Sequence, residues 1–394
     1  MLAIAYAFSR DRSRIVWRTV AWGLALQLTL GVILLKTPIG SAFFAAMEVV
    51  VSALGRYTQA GTSFVFGGLV PENFSIVVNV LPIIIFMGSL FAVLYHWGWI
   101  QVVVDALARG LSRTMGTSGA ESLAVVANLF VGMTESALVV RPYLARMTQS
   151  ELFLLMTIGM ATVAGSVLIA YVVMLGGSDY AGHLATASLL SLPAGILVSK
   201  MIVPEAGTPV TAGSGRAHVE VTSVNTIDAA AQGALAGLRL AAAVGALLIA
   251  FVALVALVND LLATFGGFVG APGLSLEAVL GFFLAPIAWL MGVPWADATT
   301  VGSLLGVKTV LNEFFAYLQL SELVESGALM PRSAIIASYA LCGFANFGSL
   351  AILLGGIGGM VPEKRSDVAR YGMLSILSGS LATFMTACVA GILL

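Results

Sequence analysis

Two short stretches place polar and acidic side chains inside long apolar runs: 128–135 (NLFVGMTE) and 312–313 (NE, followed by FFAY). A carboxylate near mid-bilayer costs about 2.5 to 3.5 kcal/mol on insertion scales, so such residues face a polar cavity and mark a substrate or ion path. Glu135 and Glu313 are the leading candidates for that cavity. His96, His183 and His218 have no second His or carboxylate at ligand spacing, and none reads as a metal site. No nucleophile elbow, Walker loop or HExxH is present. Two competitors to transport remain: an enzyme using Glu135 and Glu313 as an acid/base pair, and a channel. Intact rather than altered product in liposomes, and saturable uphill flux, separate them from a transporter.

The elements that must hold these residues follow from composition. Of 394 residues, 59% are hydrophobic and only 9% charged, with a mean hydropathy of +1.03. Soluble domains carry about 25% charged residues, and a β-barrel alternates in segments of about ten residues. The composition therefore indicates an all-α polytopic membrane protein. A net charge of −1 offers no basic surface for nucleic acid, and 43 glycines suit helices packed closely in lipid. Cys342 and Cys388 lack CxxC spacing and read as buried free thiols. No cleavable signal peptide is visible.

A bilayer core needs roughly 20 apolar residues per helix, which predicts spans at 17–36, 77–99, 151–175, 180–203, 229–262, 333–356 and 370–394. The opening MLAIAYAF cannot cross alone and reads as the tail of a helix whose first turns precede this chain. Segment 40–56 is amphipathic and is assigned to the interface. Segments 119–146 and 295–324 are apolar but interrupted by Gly, Asn and Glu, as in re-entrant helical hairpins, whose irregular backbone must be buried in protein or line a cavity. Each precedes a span broken by small and polar residues, ATVAGSV at 161–167 and FANFGS at 344–349. Hairpin then broken helix occurs twice, which predicts inverted repeats with two opposed hairpins and a site at the midplane.

The chain thus divides into N-terminal helices 1–103, a first transport repeat 104–203, a cytoplasmic linker 204–228, a scaffold helix with an interfacial helix 229–293, and a second transport repeat 294–394. With Arg10, Arg12, Arg14 and Arg18 cytoplasmic, fourteen of the eighteen Lys and Arg fall inside, as the positive-inside rule requires. Lys36, Arg56 and Arg332 fall outside, and Lys308 lies within the second hairpin. Counting the apolar segment 274–292 as a crossing would move Lys364, Arg365 and Arg370 outside, so it is laid in the interface. Thr148 and Glu151 form a capping box that starts the next helix. Arg141 and Pro142 read as the end of the first hairpin.

The strings NLFVGMTESALVVRPYLARMTQSELF, GVPWADATTVGSLLGVKTVLNEFFAY and ALCGFANFGSLAILLGGIGGMVP resemble the concentrative nucleoside transporter family, and the similarity runs from about Arg18 onward. The resemblance implies a homotrimer in the cytoplasmic (inner) membrane, importing nucleosides with a cation gradient by an elevator motion. It implies that the base lies against Met133, Thr134 and Glu135, with Val167 nearby. It implies that the ribose lies against Glu313, Asn346 and Ser349, with Phe344 beside the base. Carboxylate and amide oxygens accept well from ribose hydroxyls, and a flat base wants an apolar wall with a few polar contacts. Structural roles compete: Asn346 could bond backbone freed by the helix break, Phe344 could be core, and Ser349 could back-bond within its helix.

The family's sodium site maps onto the side chains of Asn128 and Thr162 with carbonyls of Val131 and Val163, neutral oxygens that suit a hard monovalent cation. Proton coupling with broad or pyrimidine specificity is the alternative. Met133 departs from the family's commoner Gln and resembles its purine-preferring members, uridine being the expected exception. A methionine offers an adaptable wall where Gln would bond a pyrimidine edge; the alternative is that Met133 only fills space. No cofactor is implied, only sodium as coupling ion and membrane lipid as surroundings.

Overall fold

The computed structural model describes residues 1–67, 75–177, 179–212, 223–268, 270–271 and 273–394. Among the described residues there are helices and no strands. This is what a chain of long apolar runs must do in lipid, where every backbone polar group has to be satisfied within its own segment. The first helices are α1 (Leu2–Ala7), α2 (Trp17–Lys36), α3 (Pro38–Phe66), α4 (Leu81–His96, led in by a π turn Ile76–Val80) and α5 (Trp99–Met115). The first hairpin comprises α6 (Gly119–Val131), α7 (Met133–Val139) and α8 (Arg141–Leu144). A broken helix follows as α9 (Gln149–Ala161) and α10 (Gly165–Met174), then α11 (Asp179–Ile202) and the 43-residue α12 (Thr226–Phe268). The second half repeats the order: α13 (Leu276–Leu290), hairpin α14 (Trp295–Val310) and α15 (Glu313–Glu325), broken helix α16 (Pro331–Leu341) and α17 (Phe347–Met360), and α18 (Arg365–Leu393). Seven of these helical stretches are long and apolar enough to cross a membrane, or eight if the pair α13 and α14, bent by 117°, is counted as one.

Several boundaries differ from the sequence expectation. The segment 40–56 belongs to one longer helix, α3, of 29 residues. A domain boundary at 103 would cut α5, whose Arg109 and Arg113 share a polar face opposite buried Ile100, Val104 and Ala108. The linker's first part is tied down, since Thr211 accepts from the backbone N–H of Gly119 and, through its hydroxyl, from that of Ala120. Pro142 starts the short turn α8 and does not end the hairpin. Cys342 is buried, but Cys388 is only partly so. His96 meets the Ser223 hydroxyl at 2.7 Å, His183 meets the Tyr339 hydroxyl at 3.2 Å, and His218 lies outside the described residues.

The core explains how the two halves interlock. One buried cluster joins α10, α14, α15, α16 and the first part of α11. The other joins α6, α9, α17 and the last part of α11. Both broken helices pass from one cluster to the other at their breaks: Ala161 belongs to one and Val163 to the other, as do Ala345 and Cys342. Hairpin tips and breaks therefore converge at one level of the molecule.

At the far end of the first hairpin, two capping boxes stand side by side. Ser118 caps α6 with Glu121, and Thr148 caps α9 with Glu151. The Ser118 hydroxyl also donates to Glu151 at 2.7 Å, and the Lys200 ammonium bonds Glu121, Ser150 and, at 3.5 Å, Glu205. Glu121 is only 3% exposed, so it depends on this partner. Removing one member of a buried ion pair costs about 3 to 5 kcal/mol, because the other charge stays buried and unpaired. Lys200→Met is expected to lower the melting temperature of the detergent-purified protein clearly. Adding Glu121→Gln, which removes the stranded charge and still accepts from the Ser118 N–H, is expected to recover most of the loss. A Lys200→Met protein that melts like the wild type would refute this account.

Candidate functional site

Where tips and breaks converge lies a cavity of about 540 Å³. Each break has its own cause. Gly132 interrupts the first hairpin at φ +97°, a left-handed conformation that side chains rarely adopt, and its N–H closes α6 on the Asn128 carbonyl at 3.2 Å. Asn312 interrupts the second: its amide oxygen accepts from the Phe315 N–H at 2.9 Å, so the residue caps α15. Asn346 does the same for α17, accepting from the Ser349 N–H at 2.7 Å. The first broken helix has an uncapped gap at Thr162 to Ala164 before α10.

All eight side chains expected at a substrate site line this cavity: Met133, Thr134 and Glu135 from the first hairpin, Val167 from α10, Glu313 from the second hairpin, and Phe344, Asn346 and Ser349 from the second break. Glu313 is the most constrained of them. It is 4% exposed, and its two oxygens accept from the Tyr171 hydroxyl and the Asn346 amide N–H, each at 2.8 Å. A carboxylate has about four lone-pair positions, so two neutral donors orient it and leave acceptor capacity on the cavity side. Asn346 thus takes the structural role weighed for it, capping the freed backbone through its oxygen, and also holds Glu313 through its nitrogen. Glu135 lies on the opposite hairpin and is exposed to the cavity. Met133 is 8% exposed and packs beside Gly159.

Two of the residues expected to hold a cation, Asn128 and Thr162, also meet. The Asn128 amide N–H groups donate to the Ile158 carbonyl at 3.0 Å and to the Thr162 hydroxyl, and both side chains are buried. Val131 ends α6 and Val163 lies in the gap between α9 and α10. Among the described residues neither of their carbonyls accepts a hydrogen bond. All four groups are uncharged and each carries an oxygen, but the Asn128 amide turns its nitrogen to Thr162 while its oxygen accepts from Ser136. No group of three or more His, Cys, Asp or Glu that could hold a metal ion occurs among the described residues.

Three features escaped the sequence reading. Tyr171 orients Glu313 while stacked on Tyr317, ring centroids 4.4 Å apart; its one signal was position, a turn beyond Val167 on the same face. Ser136 donates to the Asn128 amide oxygen at 3.3 Å and to the Met133 carbonyl at 3.1 Å, joining the cation cluster to the base-side tip. The remaining wall comes from α4 and α12, including Phe91, Tyr95, Gln232 and Leu240. Gly88, Gly233 and Gly237 let these two helices touch backbone to backbone. The four-residue spacing of the last two glycines was the available clue.

Comparison with known proteins gives a consistent result. Residues 1–69 match the family profile described as Na+ dependent nucleoside transporter N-terminus, and 183–391 match its C-terminus. Residues 77–178 match a profile described as nucleoside recognition. The uncharacterized transporter YutK of Bacillus subtilis is 45% identical over 394 residues, covering 99% of this chain and 96% of the relative. Sodium/nucleoside cotransporter 1 of Mus musculus is 39% identical over 415 residues, covering all of this chain and 62% of that one. The solved structure of CNTnw in an inward-facing substrate-bound state is 42% identical with a TM-score of 0.92, covering 100% of this chain and 95% of that one.

Proposed function

The chain belongs to the concentrative, Na+-dependent nucleoside transporter family, whose members found here are transporters and not enzymes, and from that premise we propose that it is a sodium-coupled nucleoside importer of the cytoplasmic membrane. The observation that carries this reading is Glu313, a buried carboxylate oriented by Tyr171 and Asn346 toward a cavity large enough for a nucleoside. In this reading Glu313, Asn346 and Ser349 take the ribose. Met133, Thr134, Glu135, Val167 and Phe344 take the base.

Sodium sits among Asn128, Thr162 and the carbonyls of Val131 and Val163. Its effect on the substrate runs through the tip: Ser136 and Gly132 tie this cluster to Met133, so filling it sets the base-side wall. The cavity reaches past Arg141, Ser223 and Gln232, the side given to the cytoplasm by charge, which supports an inward-open arrangement. Solved structures of CNTnw include both inward-facing and outward-facing states. The two hairpins and broken helices (repeats 104–203 and 294–394) move together as an elevator past the smooth glycine-lined wall of α4 and α12. A homotrimer fits the large apolar side chains that α3 and α12 leave exposed, among them Val49, Phe64, Leu257 and Phe265. Laying α3 in the interface, although its length and composition would let it cross, together with α13 keeps Lys364, Arg365 and Arg370 cytoplasmic.

Three outcomes test these assignments in proteoliposomes with labelled nucleosides. Glu313→Gln is expected to insert normally but to lower uptake at least about tenfold, since a charge-assisted hydrogen bond is worth about 1.5 to 3 kcal/mol; 2′,3′-dideoxynucleosides are expected to compete poorly against the wild type. Normal uptake by this variant would sink the ribose assignment. Asn128→Ala or Thr162→Ala is expected to raise the sodium concentration for half-maximal uptake far more than it changes uptake at saturating sodium. Wild-type uptake indifferent to choline replacement but rising as the outside pH falls would assign coupling to protons instead.

The third outcome concerns the base. Wild type is expected to prefer adenosine, guanosine or inosine over cytidine and thymidine, with uridine the exception. Met133→Gln is expected to narrow that preference by roughly three- to tenfold, the worth of one added hydrogen bond. Equal wild-type transport of cytidine and adenosine, together with an unchanged Met133→Gln profile, would reduce Met133 to packing.

A further inference from the structure

Lys308 is an ammonium buried in the middle of the bundle, 1% exposed, with no place in the substrate or sodium assignments. Its Nζ donates to the Ala340 carbonyl at 2.8 Å and the Thr383 hydroxyl at 3.2 Å, and lies 5.9 Å from the Phe384 ring centroid. Among the described residues no carboxylate lies within ion-pair distance of it. A buried, unpaired ammonium is costly, so its position needs a reason.

The two repeats supply one. Asn128 stands four residues before Gly132, the N-cap of α7, and Lys308 stands four residues before Asn312, the N-cap of α15. Asn128 reaches the Ile158 carbonyl in the last turn of α9, the first half of the first broken helix. Lys308 reaches the Ala340 carbonyl in the last turn of α16, the first half of the second. In both repeats a hairpin residue at the same register meets the carbonyl end of a half-helix, which carries negative partial charge and attracts cations. In the first repeat the carbonyl end is met by an uncharged amide N–H; in the second, a covalently attached cation meets it. Lys308 also lies in the last turn of α14, just before Glu313 begins α15, so the positive and negative charges of the tip each sit at the helix end whose dipole favours them.

We propose that Lys308 is a tethered cation, a positioning residue that occupies in the second repeat the place sodium takes in the first, so that the transporter carries one exchangeable and one built-in cation. This rests on the reading of Asn128 and Thr162 as a sodium site. It gives the coupling ratio a structural origin: one sodium per nucleoside, because the second place is already filled.

The test is binding of adenosine and uridine to the purified full-length protein by calorimetry, with sodium varied against choline. Wild type is expected to show a Hill slope for sodium of about one. Lys308→Asn, which gives the second repeat the first repeat's side chain, is expected to raise the slope toward two and the half-saturating sodium concentration by about tenfold. A slope of one, whether nucleoside affinity is kept or lost, would overturn the proposal. Lys308→Ala is expected to lose at least about tenfold in nucleoside affinity and to regain it with methylammonium but not with choline. Lack of that rescue counts against the tethered cation. So does an alanine variant that fails to fold with and without methylammonium, whereas one that folds only with it supports the proposal. If wild-type binding ignores sodium, the first site is misread, and the methylammonium result alone decides the role of Lys308.

Discussion

A helix interrupted inside lipid exposes backbone groups that hydrocarbon cannot satisfy, and this protein interrupts four helical elements at one level. Everything at that level is a response to the constraint. Asn312 and Asn346 each spend an amide oxygen on the backbone N–H three residues ahead, so the breaks end in capped helices and not in frayed ones. Gly132 turns its hairpin with a conformation that needs no side-chain cap. The gap from Thr162 to Ala164 is the least repaired of the four, and it contributes one of the two bare carbonyls of the candidate cation cluster.

Charge follows the same logic. An isolated ion in this interior is expensive, and the buried ones are placed against dipoles or partners. Glu313 begins a helix and Lys308 lies in the last turn of one. Glu121 and Glu151 sit in the first turns of α6 and α9, where they cap helix starts, and Glu121 is paired with Lys200. Glu313 differs from Glu121 in being held only by the neutral donors Tyr171 and Asn346, which orient the carboxylate without consuming its charge. That leaves it able to discriminate a ligand rich in hydroxyl groups from one without them.

Interleaving of the two buried clusters links the repeats. Because each broken helix changes cluster at its break, each cluster contains helix halves from both repeats. Ser136 is a link within the first hairpin, with one hydroxyl bonded to both the Asn128 amide and the Met133 carbonyl.

Much of this was legible in the residues alone. Hydropathy over runs of about twenty residues, the Gly, Asn and Glu interruptions at 128–135 and 312–313, and the twofold order of hairpin and broken helix indicate an all-α membrane chain with a polar midplane cavity, because lipid tolerates few other solutions. Motif strings identified the family, and the eight substrate-side side chains they pointed to do line one cavity. Tertiary structure alone decided the rest. Tyr171 reads in sequence as one more aromatic in an apolar helix, and only its approach to Glu313 across 142 residues makes it a donor to the site. Ser136, the α4 and α12 wall, and the meeting of Lys308 with Ala340 and Thr383 depend on which faces of distant helices touch. The extent of α3 and α5 was likewise blurred, since amphipathic helices without strong stop signals carry little boundary information. Periodicity and composition report what each segment needs to be satisfied in lipid; they do not say which neighbour satisfies it, and that pairing is what turns buried polar groups into a site.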